Sequence, residues 1–337
     1  MRRRDFIAGL SMAAWVPLWP GTATAQQASG VARVGFVHFA AEQDDGLNIA
    51  GLFTQGMEKL GWTLGRNLAI DYRWGINEIE KARLAAAEIL RLAPDVVVCG
   101  GSPATRALKQ ATATVPIVFA SVSEPVRQGI VESFAQPGGN LTGFTFLEAT
   151  TGAKWLELLM QIAPHLNHVA FMSNPASGPY SEWFFGSIET ATSKFAVQAV
   201  MAPVHDLNEV EQLITMLGRQ PGSGMIVAAE TFNFANRKLI IELAARHRVP
   251  AIYGIVDCAS NGGLIQYSFD YVAQYGGPVA SYVDKILRGV KPSDLPIQQP
   301  NQFNLSINSK TAGTLGLNIP TQLLALADEV IEQGAIV

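Results

Sequence analysis

The feature that most constrains this chain is a pattern met twice. From residue 34 onward, short apolar and β-branched runs alternate with stretches of helical periodicity, and the order recurs in the second half. Such alternation demands parallel strands, because each crossover helix returns the chain to the same end of the sheet. The first half reads as strands at 34–39, 68–74, 95–99, 116–120 and 140–146, with helices at 46–60, 78–92 and 103–111 and a short one at 126–134. The second half reads as strands at 168–172, 197–202, 225–229 and 250–253, with helices at 180–195, 208–217 and 235–246. "VPIVFASVSEP" (115–125) and "VPAIYGIVDCA" (249–259) hold equivalent places, each with Pro at a strand start and an acid just past its end. This coarse duplication predicts an α/β chain of two similar doubly wound parallel-sheet lobes joined by a hinge. The first lobe is expected over 31–147 plus a returning helix near 271–290. The second is expected over 150–268 plus the tail at about 295–335, with the pairing of "QFNLSIN" (302–308) left open.

Residues 1–25 stand outside that fold. Arg3-Arg4-Asp5-Phe6-Ile7 is a twin-arginine pattern, an apolar stretch follows, and Ala23-Thr24-Ala25 ends it as an A-x-A cleavage site. The stretch is interrupted by Pro17 and Pro20 and is too short to span a bilayer. The expectation is an export signal cleaved after Ala25, releasing a soluble monomer into a bacterial periplasm. No cysteine follows the cleavage site, so no lipid anchor is expected. The net charge of −4 becomes −6 once Arg2, Arg3, Arg4 and Asp5 are removed, and no basic run survives, which argues against nucleic acid as a partner. Cys99 and Cys258 read as free, buried thiols.

The chemistry of the chain belongs at its strand ends, since open α/β sheets bind ligands outside the carboxyl ends of their strands. In "CGGSPATRAL" (99–108) a strand runs through two glycines into a helix, with Ser102 as the expected N-cap and Pro103 as the first helical residue. A helix N-terminus there attracts an anion, and Ser102 with Thr105 would hold a carboxylate. A plain cap is the alternative. Glu124 and Asp257, one acid from each half, are candidates for a ligand ammonium; pairing with the protein's own groups, such as Arg127 for Glu124, is the alternative. Phe39, Tyr180, Phe232, Phe234 and Tyr253 are aromatics near these loops, of which Phe232, flanked by Thr231 and Asn233, is the preferred ligand contact. Ser121, Thr145, Asn174 and Ser177 are candidate hydrogen-bonding groups, Thr145 near the hinge.

Other chemistries find little support. There is no G-x-x-x-x-G-K-[ST] and no G-x-G-x-x-G after the first strand, and no G-x-S-x-G elbow. His165 and His168 have no third metal ligand nearby, and His38 reads as cleft-facing or structural. No cofactor is expected.

The segments "RRRDFIAGL", "FTQGMEKLGW" (53–62), "GGSPATRALKQATATVPIVFA" (100–120), "SEPVRQGIVESFAQPGGNLTGFTF" (123–146) and "ILRGVKPSDLPIQQPNQFNLSINSKTAGTLGLNIP" (286–320) together resemble the ABC-transporter substrate-binding proteins of the tryptophan/aromatic-amino-acid-binding-like group. The resemblance implies a periplasmic-binding-protein type I fold. It also implies capture of a small solute by lobe closure and delivery to an ABC permease driven by a separate ATPase, with the membrane met only through that permease. Relatives often carry Asp where this chain has Glu124, and Glu where it has Asp257. The expected solute is a carboxylate-bearing molecule, an amino acid or related acid. A periplasmic sensor for a receptor, and less so an enzyme on the same scaffold, are the rival readings.

Overall fold

A computed structural model describes residues 30–42, 48–270, 272–300 and 302–332. The expected export signal at 1–25 lies outside the described residues. Through the first half run β1 (Ala32–Val37), α1 (Ile49–Lys59), β2 (Leu68–Arg73), α2 (Ile79–Arg91), β3 (Val96–Gly100), α3 (Ser102–Ala111), β4 (Ile117–Val122) and β5 (Leu141–Thr145). Then follow α4 (Thr151–Ile162), β6 (His168–Ser173), α5 (Ser181–Thr192), β7 (Gln198–Pro203), α6 (Leu207–Arg219), β8 (Ser223–Val227), α7 (Thr231–Ala235), α8 (Arg237–Arg246), β9 (Ala251–Tyr253) and β10 (Ile265–Ser268). The chain ends with α9 (Val272–Gln274), a π-helical turn (Tyr275–Val279), α10 (Ala280–Leu287), β11 (Asn304–Asn308), α11 (Ser309–Leu315), α12 (Thr321–Leu326) and β12 (Glu329–Ile331).

The strands form two sheets, ordered β2-β1-β3-β4-β5 and β12-β11-β10-β9-β8-β6-β7. β3, β4 and β8 are buried along their whole length, as strands covered by helices on both faces must be. The pairing is parallel except between β10 and β11. The pairing of β11, left open by the sequence, is reversed there for a topological reason. The chain leaves the second sheet at the end of β10, builds α9 and α10 against the first lobe, and re-enters from the same end. "QFNLSIN" therefore pairs antiparallel with β10 and parallel with β12.

The returning helices dock tightly on α1: a Cβ at Gly56 would stand 2.4 Å from the carbonyl oxygen of Gly276. Trp62 Nε1 donates to Asp284 Oδ1 at 2.8 Å across the same contact. Residues 295–298 then run beside β5. Ile297 N–H donates to Phe134 O at 2.7 Å, Gln298 N–H to Gly143 O at 3.1 Å, and Thr145 N–H to Gln298 O at 2.9 Å. Gly143 is required here. Its φ is 154°, and a Cβ would lie 2.0 Å from the Phe119 carbonyl oxygen. The lobes are thus joined between β5 and α4, between β10 and α9, and between residue 298 and β11.

The short helix expected at 126–134 is absent; turns replace it. Glu124 takes a left-handed backbone with φ 49°, Pro125 follows, and Gly129 reverses at φ 66°, so no helical hydrogen-bond ladder can build.

Candidate functional site

The loops after β1, β3 and β4 meet those after β6, β8 and β9. Phe39, from the first lobe, sets its ring edge-on to Phe234 of α7, with centroids 5.0 Å apart and planes at 86°. Arg127 lays its guanidinium 4.2 Å over the Trp183 ring of α5. Thr231 Oγ1 donates to Asn77 O at 3.5 Å. Between these contacts lies a nearly closed cleft with a free volume of about 20 Å³, walled by Phe39, Phe146, Phe234 and Ile255, with Ser121, Tyr180, Glu230 and Thr231 supplying polar atoms. An apolar wall with a few convergent polar groups is the usual make-up of a small-molecule site.

The β3–α3 turn departs from expectation by one residue. Gly101, not Ser102, occupies the N-cap, with φ 83° and ψ 158°, a conformation open essentially to glycine alone. Its N–H already donates to Ala120 O at 3.0 Å. Ser102 becomes the first helical residue and Pro103 the second. Ser102 Oγ accepts from Gln128 Nε2 at 2.9 Å. Ser102 lines a rim groove of about 120 Å³ with Arg83, Arg106, Ala176 and Ser177, which also spans both lobes. Thr105 turns inward. Its hydroxyl donates to Gly101 O at 2.8 Å and lies 3.3 Å from Cys99 Sγ. Both Cys99 and Cys258 are buried and free, and burial pushes the Cys99 thiol up to about 12.

Three of the predicted site residues share a backbone signature. Ser121 (φ 57°), Glu124 (φ 49°) and Asp257 (φ 63°) all adopt left-handed conformations, each unfavourable by roughly 1–3 kcal/mol for a non-glycine residue. Strain of this kind gathers where a fold must aim particular groups. Their side chains nevertheless go to different places. Ser121 lines the cleft. Glu124 Oε1 accepts the Ala149 N–H at 2.8 Å, bracing the first interlobe connection. Asp257 Oδ1 accepts from Ser260 Oγ at 2.6 Å, and its Oδ2 lies 3.9 Å from the Arg237 guanidinium; it faces a separate groove.

Phe232 is only partly buried and packs on the core, while Phe234, two residues on, forms the cleft wall. Tyr253 is buried in β9, its ring against Gly263. Asn174 Oδ1 accepts from the N–H groups of Ala176 (2.9 Å) and Ser177 (3.2 Å), shaping the loop after β6 rather than facing the cleft. Thr145 Oγ1 points at Gln298 O, 3.4 Å away, between two interlobe connections. His38 is fully buried, 2.9 Å from the Tyr275 hydroxyl, and its Nδ1 accepts from Ala40 N–H. Burial holds its pKa down at about 3, so the ring is neutral.

Glu230 was not among the sequence candidates, yet it is the central polar group of the cleft. It caps α7, accepting from Phe232 N–H (2.7 Å) and Asn233 N–H (2.9 Å). Ser177 Oγ also donates to it. The carboxyl thereby ties the loop after β6 to the loop after β8. Burial raises its pKa to about 7, against the pull of these donors. The available signal was an acid stranded in "VAAETFNF" (227–234), where an apolar run gives way to a helix.

Two open-sheet lobes facing each other across a small, largely apolar cleft define a solute-binding architecture. The sequence pattern of the ABC transporter substrate binding protein family matches residues 37–331, and the chain belongs to that family. It is 23% identical over 265 residues to a "Tyrosine-binding protein" of Clostridioides difficile (strain R20291), covering 79% of this chain and 75% of the relative. A Streptococcus pneumoniae ABC domain solved in complex with L-Trp superposes with a TM-score of 0.78 at 21% identity, over 89% of this chain and 99% of that one. The ligand-free, open structure of a substrate-binding protein from Clostridium difficile gives a TM-score of 0.63 at 23% identity, over 90% and 100%.

Proposed function

We propose that this chain is a periplasmic receptor that captures an amino acid or related carboxylate-bearing solute, with an aromatic side chain favoured, and delivers it to an ABC permease by hinge closure. The observation that carries the reading is the cleft itself. Phe39, Phe146 and Phe234 converge from both lobes beside Ser121, Glu230 and Thr231. A flat apolar group would enter among the rings as the lobes part, with the polar atoms holding its other end. The likeness to relatives described with tyrosine and tryptophan supports the same ligand class. The higher similarity to the ligand complex than to the open form accords with lobes already in contact here.

Closure works by mass action. A solute that touches both lobes stabilises the closed form in proportion to its preference for it. The transport energy then comes from a separate ATPase.

The test is thermal unfolding with and without a panel of amino acids and small carboxylates. A solute that binds only the folded state adds about 2.7 kcal/mol at a hundredfold excess over Kd. An upward Tm shift with tyrosine, tryptophan or phenylalanine, and none with their decarboxylated amines, is the expected result. No shift with any carboxylate would overturn the ligand class.

A further inference from the structure

We propose, resting on the cleft as the solute site, that Tyr275 is a positioning residue for it. Its hydroxyl holds the His38 ring, against which the cleft-wall ring of Phe39 is stacked, so the segment that crosses from the second lobe sets the wall the solute meets. Tyr275 opens the π-helical turn that follows β10 and α9. Pro278, inside that turn, has no N–H for the carbonyl four residues back, and such widened turns recur at functional sites. The Gly56–Gly276 contact seats the turn on α1. The Tyr275 ring is fully buried, 5.8 Å from the Phe36 ring, and its hydroxyl meets His38 Nε2 at 2.9 Å.

The protons give this contact a direction. His38 Nδ1 accepts the Ala40 N–H at 3.0 Å, so that nitrogen carries no proton. The neutral ring then bears its proton on Nε2 and donates it to the Tyr275 oxygen. Only one tautomer satisfies both partners. The ring so fixed lies 4.3 Å from the Phe39 ring, with planes at 26°. Gly100 shuts another side, since a Cβ there would stand 2.3 Å from His38 Cδ2 and 3.1 Å from the Tyr275 oxygen.

The Tyr275 hydroxyl keeps its own proton. Burial raises its pKa, and Ser121 pulls against that rise. Ser121 lines the cleft, and its Oγ is buried without a hydrogen-bond partner of good geometry among the described residues. Tyr275 thus reaches two cleft residues, Phe39 through His38 and Ser121 beside it. Without the hydroxyl, His38 Nε2–H is a buried donor with no acceptor, which is costly. The ring then turns to find one, and the stacked Phe39 moves with it.

The experiment has two arms on the full chain. In the first, nitrogen-15 spectra of the histidine rings, recorded without solute, should show His38 with a bare Nδ1 and a proton on Nε2 that exchanges slowly with water. Tyr275→Phe should speed that exchange. A proton on Nδ1, or an unchanged Nε2–H signal in the variant, would overturn the contact. The second arm is calorimetric titration with L-tyrosine, L-tryptophan and L-phenylalanine, below each variant's Tm. Tyr275→Phe should weaken the amino acid that the wild type binds at least threefold. His38→Asn, which keeps an acceptor for the Ala40 N–H and loses the Nε2 donor, should weaken it at least as much. The double variant should be no weaker than His38→Asn alone. Tyr282→Phe removes a hydroxyl that donates to Pro296 O at 2.6 Å elsewhere in the returning segment and should leave affinity unchanged. Wild-type affinity in Tyr275→Phe, an equal loss in Tyr282→Phe, or additive losses in the double variant would each overturn the positioning role. Failure of the wild type to bind any of the three amino acids would overturn the reading of the cleft, and this role with it.

Discussion

Glu230 and His38 are buried ionisable groups on opposite sides of the cleft, and their environments set opposite pH dependences. Burial raises Glu230 to about 7 from an ordinary 4.5. Between those values the folded chain holds a proton that the unfolded chain has released. Its contribution is therefore most favourable below about pH 4.5 and declines as pH rises towards about 7, by at most about 1.4 kcal/mol per pH unit. Burial lowers His38 from 6.5 to about 3. Its contribution is present above the unfolded value and is lost as pH falls below it. Denaturant titrations of Glu230→Gln and His38→Gln against the wild type, from about pH 5 to pH 7, separate the two. Glu230→Gln should gain on the wild type as pH rises, and His38→Gln should gain as pH falls. A flat difference for either variant would mean that its wild-type group does not titrate as buried. At this scale the sequence marked loops that meet between the lobes but not the side-chain directions. Glu124 and Asp257 were legible as strand-end acids. Nothing local could say that one would find the Ala149 amide, 25 residues on and roughly 80–90 Å away along the extended chain, and the other Ser260.

The β3–α3 turn was legible as an element because glycine, serine and proline each impose a backbone preference that needs no tertiary information. The N-cap slipped by one residue because Gly101 also meets the opposite lobe. A Cβ there would stand 2.9 Å from Thr231 Cγ2 and 3.1 Å from Phe39 Cδ1. Gly101→Ala therefore combines backbone strain of about 1–3 kcal/mol with a clash against Phe39 in its own lobe and a further clash, against Thr231, felt only when the lobes touch. The expected outcome is lowered thermal stability together with weaker binding of the solute found by the panel, read by calorimetry below the variant's Tm. Undiminished affinity would mean that the turn does not approach α7 in the bound form. The missing helix at 126–134 has the same origin as this slip. Its apolar spacing was helical, but Pro125 follows a left-handed Glu124 whose carboxyl meets the Ala149 N–H in the interlobe connection.

At the scale of the molecule, the two-lobed duplication was legible because alternation of strand and helix is a property of the whole sequence. The reversed β11 was not, since its direction depends on which end of the sheet the chain re-enters. The same global geometry makes closure measurable. Phe39 and Phe234 belong to different lobes and touch edge to face, an arrangement worth about 0.5–1.5 kcal/mol beyond area burial. If solute binding draws on that contact, the two residues must be coupled in binding free energy. Alanine variants at each position and at both, titrated with the solute, form a double-mutant cycle. Each single variant should raise Kd, and the double variant should raise it by less than the product of the two, leaving a coupling of about 0.5–1.5 kcal/mol. Trp183 offers an independent readout, because Arg127 stacks on it across the same cleft and lobe opening would expose its ring. Additive effects in the cycle would mean that the solute separates the two rings and closes the lobes through its own contacts alone.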